Sequence, residues 1–200
     1  MITSGIGRAA HLSISLVGVA LLWGCIRDPV PSECHVLAPG DLVVTEIRGG
    51  QGGSYREWIE LHNASDAEIP VAGMRLTLTQ RDGSGSLTLL LRDPSRELAP
   101  GEYFVVGGGD PADIDYIDFD YTPQHHVADK PDTPSGLYGA AVLDLAVCQV
   151  EVDRVQYQLP EAGTLVRDGD GWCIDSDPGT GPQTGIGVKG TPGEANPPCP

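Results

Sequence analysis

Lysine is nearly missing from this chain of 200 residues: Lys130 and Lys189 are the whole complement. With the arginines there are 12 basic residues against 28 acidic ones, a formal net charge of −16. A surface that acidic repels nucleic acid and anionic lipid headgroups, which sets nucleic-acid partners aside. No run approaches the roughly 20 consecutive apolar residues a membrane-spanning helix needs. No Cys-x-x-Cys pair occurs, which argues against zinc. There is no His-Glu-x-x-His, Gly-x-Ser-x-Gly or Walker-type loop. No stretch carries an amphipathic helical period. Gly185-Ile-Gly187-Val-Lys-Gly190 fits Gly-x-Gly-x-x-Gly, but Gly, Pro and Thr flank it where a nucleotide site needs a strand and a helix. It reads as a Gly-rich turn.

What the chain has begins at Met1–Gly24, with one Arg, one His and no acidic residue. Leu12 to Trp23 (LSISLVGVALLW) is nearly all apolar and has the length of a signal-peptide h-region. It ends in LLWGC, with an aliphatic residue three before Cys25 and a small residue just before it. That run resembles a lipobox, although Trp23 is bulkier than usual at its position. The resemblance implies cleavage before Cys25, lipid on its thiol, and attachment to a membrane. Ile26 rather than Asp after the cysteine implies, by the sorting rule of enteric bacteria, the outer membrane. Several acyl chains hold firmly, because each buried CH₂ contributes about 0.8 kcal/mol. Residues 25–40 then read as a tether, and 41–200 as one domain. Without residues 1–24, 11 basic residues face 28 acidic ones.

Beyond the tether, period-two alternation recurs. Leu42–Arg48, Glu57–Asn63, Gly73–Thr79, Ser86–Arg92, Glu102–Val106, Ala140–Val147, Val150–Tyr157 and Gly163–Asp168 all read as strands. Ile59 and Leu61 share one face; Trp58, Glu60 and His62 share the other. Met74, Leu76 and Leu78, and then Leu87, Leu89 and Leu91, form apolar faces. Asp82-Gly83-Ser84-Gly85 reads as a hairpin connection. Short strands broken by Gly and Pro turns predict an all-β antiparallel sandwich or barrel.

The runs DLVVTEI, EWIELHN, LAPGEYFVVGG and GTPGEAN stand in that order. Together they resemble the lamin-tail domain over about Asp41 to Asn196. That implies an immunoglobulin-like antiparallel β-sandwich, with 107–136 as a long acidic loop insertion outside the family's pattern. Trp172-Cys173 and the closing Asn196-Pro-Pro-Cys199 are similar to large bacterial lipoproteins that carry this domain.

Five cysteines leave one over in an exported chain. Lipid on Cys25 accounts for it, and Cys34, Cys148, Cys173 and Cys199 then form two disulfides. Cys148 lies at the turn of the hairpin 140–157 and Cys173 follows a strand beside it. Cys148–Cys173 with Cys34–Cys199 is therefore preferred, over Cys173–Cys199 with Cys34–Cys148.

Two acidic stretches are candidate metal sites. Asp113, Asp115, Asp118 and Asp120 lie among aromatics in the insertion, with His125, His126, Asp129 and Asp132 after them. Aspartates at spacing two offer oxygen ligands to Ca²⁺, or form the solvent face of one more strand over 114–119. Asp168-Gly-Asp170 opens like half an EF-hand loop, but Trp172 occupies a ligand position and no Glu closes it, so it reads as a turn before the last strand. Glu46 and Glu60 lie within strands and need partners if buried. They read as structural hydrogen-bond acceptors; a catalytic pair is the alternative.

No catalytic constellation emerges. The sequence points to a membrane-anchored, non-enzymatic binding or structural module of the cell envelope, its partner a protein or a carbohydrate, with no cofactor. The alternative is a Ca²⁺-dependent binding protein or a metal-dependent hydrolase using residues 110–132.

Overall fold

Alternating segments become strands throughout the computed structural model, which describes residues 36–51, 57–109, 114–121, 136–176 and 189–200. Cys25, Cys34, Asp113, His125 and His126 lie outside the described residues. The strands are β1 (Leu42–Arg48), β2 (Trp58–Asn63), β3 (Ile69–Pro70), β4 (Met74–Gln80), β5 (Ser86–Leu90) and β6 (Glu97–Leu98). They continue with β7 (Tyr103–Gly107), β8 (Phe119–Asp120), β9 (Ala140–Val147), β10 (Val150–Gln158), β11 (Thr164–Asp168) and β12 (Gly171–Asp175). The described chain is all-β, and none of its residues forms a helix that could cross a membrane.

One sheet runs β12-β11-β1-β2-β7-β8, and a second runs β10-β9-β4-β5. β3 and β6 form a small third pair. All pairings are antiparallel except β7 with β8. Leu42, Val44, Ile47, Ile59, Leu61, Phe104 and Val106 from the first sheet share one core with Met74, Leu76, Leu78, Leu89, Leu143 and Leu145 from the second. Each buried side chain of this kind contributes about 1.5–3 kcal/mol before entropy is counted. Leu37 packs against the same core, and Gly40 N–H donates to the Val152 carbonyl at 2.9 Å.

One break in the alternation of β1 positions Glu46. Strict period two would place Leu42, Val44 and Glu46 on one face of β1. The β1–β2 register instead shifts between Val44 and Glu46, with Thr45 as the extra residue. Past this bulge the faces exchange. Ile47 enters the core, and Glu46 turns to the outer face of the six-stranded sheet, beside Trp58 and Glu60.

Eight strands stand where the alternation places them, within a residue or two at their ends. β12 is a correction. The residues from Gly171 to Asp175 do not form a turn before a later strand; they are a strand, joined to β11 by the turn at Gly169-Asp170. β3, β6 and β8 are two residues each, too short to leave a periodic signal.

Candidate functional site

The outer face of the six-stranded sheet carries a buried polar layer where an ordinary sandwich would meet water. Glu46 and Glu60 are directly opposed across β1 and β2, and both are fully buried. The C-terminal segment Gly190–Asn196 lies over them as a strap. Glu46 Oε1 accepts from the Thr191 N–H and the Thr191 hydroxyl, each at 2.8 Å, and Glu46 Oε2 accepts from Trp58 Nε1 at 3.1 Å. Glu60 Oε2 accepts from the Gly193 N–H at 2.7 Å, and Glu60 Oε1 from the Thr45 hydroxyl at 2.6 Å. Asn196 Nδ2 donates to the carbonyls of Thr45 (2.9 Å) and Arg167 (3.2 Å). Gly190 opens the strap at φ 114°, and a Cβ there would sit 2.8 Å from Thr164 Oγ1 and 3.1 Å from the Trp58 ring. Only glycine fits so close an approach.

The carboxylates therefore have structural partners, as their place within strands implied. Burial is the largest influence on both. It pushes Glu46 up to about 7 against hydrogen bonds from Thr191 and Trp58 that lower it, and nearby Asp175 adds to the rise. Glu60 is raised well above the carboxylate range by burial first, then by the charge on Glu46. Arg48, also buried, lies over the Trp58 ring at 5.1 Å and donates from Nη1 to the Lys189 carbonyl at 2.8 Å.

The insertion completes this layer. Tyr116 and Ile117 pack with Trp58 and Val105 into a second, smaller apolar cluster, with Trp58 and Tyr116 edge to face at 5.3 Å. Phe119 and Tyr121 reach the main core. The candidate aspartates divide. Asp118 is exposed as a residue, but its Oδ2 accepts from the Val105 N–H at 2.8 Å and desolvation of the carboxyl raises it. Asp120 Oδ1 accepts from the Gly109 N–H at 3.1 Å. Asp115 is exposed at the rim of a cleft of about 430 Å³ that it shares with Asp118, Glu102, Tyr103, Tyr116 and Glu194. Among the described residues, no three His, Cys, Asp or Glu side chains converge on a point where a metal could sit. Tyr103 stacks on His62 at 4.4 Å; burial lowers His62 and raises Tyr103.

Glu57 has a role that its place just ahead of β2 does not announce. Its carbonyl accepts from the Gly108 N–H at 3.1 Å, Oε1 accepts from the Tyr121 hydroxyl, and Oε2 from the Leu137 N–H at 2.8 Å. One residue thus clasps both ends of the insertion. In the sequence it opens the EWIELHN run and reads as a strand residue, with nothing local to name Tyr121 or Leu137 as its partners. Asn63, which ends the same motif, is fully buried and donates to the carbonyls of Ala67 (2.8 Å) and Leu98 (2.9 Å).

The cysteines give a second correction. Cys173 is bonded to Cys199, not to Cys148. Cys148 sits at the β9–β10 turn of the four-stranded sheet, whereas Cys173 lies on β12 at the edge of the other. The Cys199 N–H donates to Asp168 Oδ2 at 2.9 Å, which brings the end of the strap beside the β11–β12 hairpin. Cys148 is itself disulfide-bonded. No protein-family model matches the chain, and no curated protein matches it.

Proposed function

We propose that this chain is an exported lipoprotein, anchored through Cys25, whose domain is an immunoglobulin-like sandwich of lamin-tail type. In this reading it serves as a non-catalytic binding or structural module of the cell envelope. One observation carries the reading of the domain, while the anchor rests on the sequence around Cys25 alone. Glu46, Trp58, Glu60, Thr191, Gly193 and Asn196, all from the runs that resemble the lamin-tail domain, form a single hydrogen-bond network. The motif residues hold the chain's C-terminal strap to the sheet. A motif that closes a fold explains its own residues without a reaction. The acidic surface keeps such a domain soluble outside the membrane.

Two experiments test the two halves of this reading. The intact chain, expressed in a bacterial host with labelled palmitate, should take up label and sediment with membranes, and Cys25→Ser should lose both. A Cys25→Ser protein that stays on the membrane would overturn the anchor. Pull-down from envelope extracts and a glycan array should yield a partner; silence across both counts against a binding role.

A further inference from the structure

Glu46 and Glu60 form no ion pair with any Lys, Arg or His among the described residues, although both are fully buried and directly opposed. Two adjacent carboxylates with no cation beside them among the described residues are costly to ionise together. Their neighbours accommodate a proton instead. Thr191 Oγ1 lies 2.8 Å from Glu46 Oε1 and 3.0 Å from Asn196 Oδ1. With Glu46 ionised, the threonine hydroxyl donates to it. With a proton on Glu46 Oε1, the carboxyl donates to Thr191 Oγ1, and the threonine hydrogen turns to Asn196 Oδ1. Glu60 has a similar exchange: Thr45 Oγ1 is 2.6 Å from its Oε1 and 3.4 Å from its main-chain carbonyl. Proton uptake therefore adds a hydrogen bond within the strap, and proton loss removes it.

The surrounding charges favour uptake. The charge on Asp175 of β12 disfavours ionisation of Glu46, and the charges on Glu46 and Asp118 disfavour ionisation of Glu60. Tyr103 on β7 lies close enough to feel Glu60. On β1, Arg48 is directed to Trp58, Thr164 and the Lys189 carbonyl. On β11, Arg167 pairs with Asp153.

We propose that Gly190–Asn196 is a proton-gated strap: it stays seated while Glu46 and Glu60 hold a proton between them and lifts when both are ionised. The Cys173–Cys199 disulfide keeps its far end attached. Lifting uncovers Trp58 and removes the wall of the cleft formed by Pro192, Gly193 and Glu194. Both carboxyls are raised when the strap is seated. Seating is thus favoured at acid pH and is lost as pH rises through about 7 for Glu46 and through the raised range of Glu60.

Hydrogen exchange on the intact, oxidised chain tests this. Protection of the Thr191 and Gly193 amides, corrected for intrinsic exchange, should fall as pH rises from the ordinary carboxylate range through the raised ones, by up to about tenfold per pH unit for each proton released on lifting. Core amides of β4 and β9 should keep theirs. Glu46→Gln and Glu60→Gln should flatten that dependence, because an amide cannot ionise. Strap protection that does not change between pH 6 and 9 would overturn the proposal. So would a wild-type carboxyl carbon NMR titration in which both glutamates ionise below pH 5, a measurement that does not depend on either variant folding.

Discussion

Asp153 Oδ2 accepts the backbone N–H of Val44 at 2.8 Å, from the other sheet and 109 residues away in the chain. Both residues adjoin bulges, where the β1–β2 and β9–β10 registers slip. A bulge leaves an N–H without its ladder partner, and the carboxylate supplies one. The same oxygen pairs with Arg167 Nη1 at 2.8 Å, with both side chains largely buried. Asp153→Ala strands the Val44 N–H and Arg167 together and should cost about 2–3 kcal/mol. Asp153→Asn keeps an acceptor for Val44 and should cost less. Urea unfolding of the two variants checks this; equal losses would mean that Val44 contributes nothing.

The β9–β10 turn offers a gain. Cys148 and Gln149 sit at φ 52° and 72°, the left-handed pair that a two-residue hairpin turn requires. A side chain there costs about 1 kcal/mol or more relative to glycine. Gln149→Gly should therefore raise the melting temperature by roughly 2–4 °C per kcal/mol relieved. An unchanged or lower value would show that chain entropy offsets the relief. Cys148 is left alone because it is disulfide-bonded.

The strands were legible because each is a local pattern. Leu76 and Leu78, or Leu143 and Leu145, announce a buried face by alternation alone. Glu46 shows where that stops. Period two puts it in the core, and only the bulge at Thr45, set by the partner strand, turns it outward. The strap was visible as a motif, Gly190 to Asn196, but its target was not. Thr191 meets Glu46 across 145 positions, and nothing in either neighbourhood names the other. The aspartates of the insertion read as oxygen ligands or as the face of one more strand; the spacing does not show that Asp118 and Asp120 accept from the Val105 and Gly109 N–H groups, because those donors lie on and beside another strand.

Glu57 makes the insertion testable. Glu57→Ala leaves the buried Tyr121 hydroxyl and the Leu137 N–H without their acceptor, a loss of about 2–3 kcal/mol if neither finds another. The loss should be local as well as global, because the clasp closes the segment rather than the core. Limited proteolysis should cut between residues 107 and 136 faster in the variant, while the half formed by β4 and β9 resists as before. Unchanged cleavage would place the closure on the apolar contacts of Tyr116 and Ile117.

The disulfide separates two ways of holding the strap. Cys173 and Cys199 close a loop of 26 residues, which by chain entropy stabilises the fold by about 3–4 kcal/mol. The carboxylate bonds to Thr191 and Gly193 act on the same segment from its other end. If the two act independently, Cys173→Ser with Cys199→Ser should lower stability by that amount and leave the Trp58 environment native. If the disulfide is what brings Thr191 to Glu46, the assigned Trp58 Nε1–H NMR resonance should show Trp58 freed as well, and the loss should exceed the entropic figure. The geometry favours independence, because Asn196 is fixed to the Thr45 and Arg167 carbonyls between the two anchors. The double variant should therefore melt lower by roughly 2–4 °C per kcal/mol, with the Trp58 Nε1–H resonance unmoved.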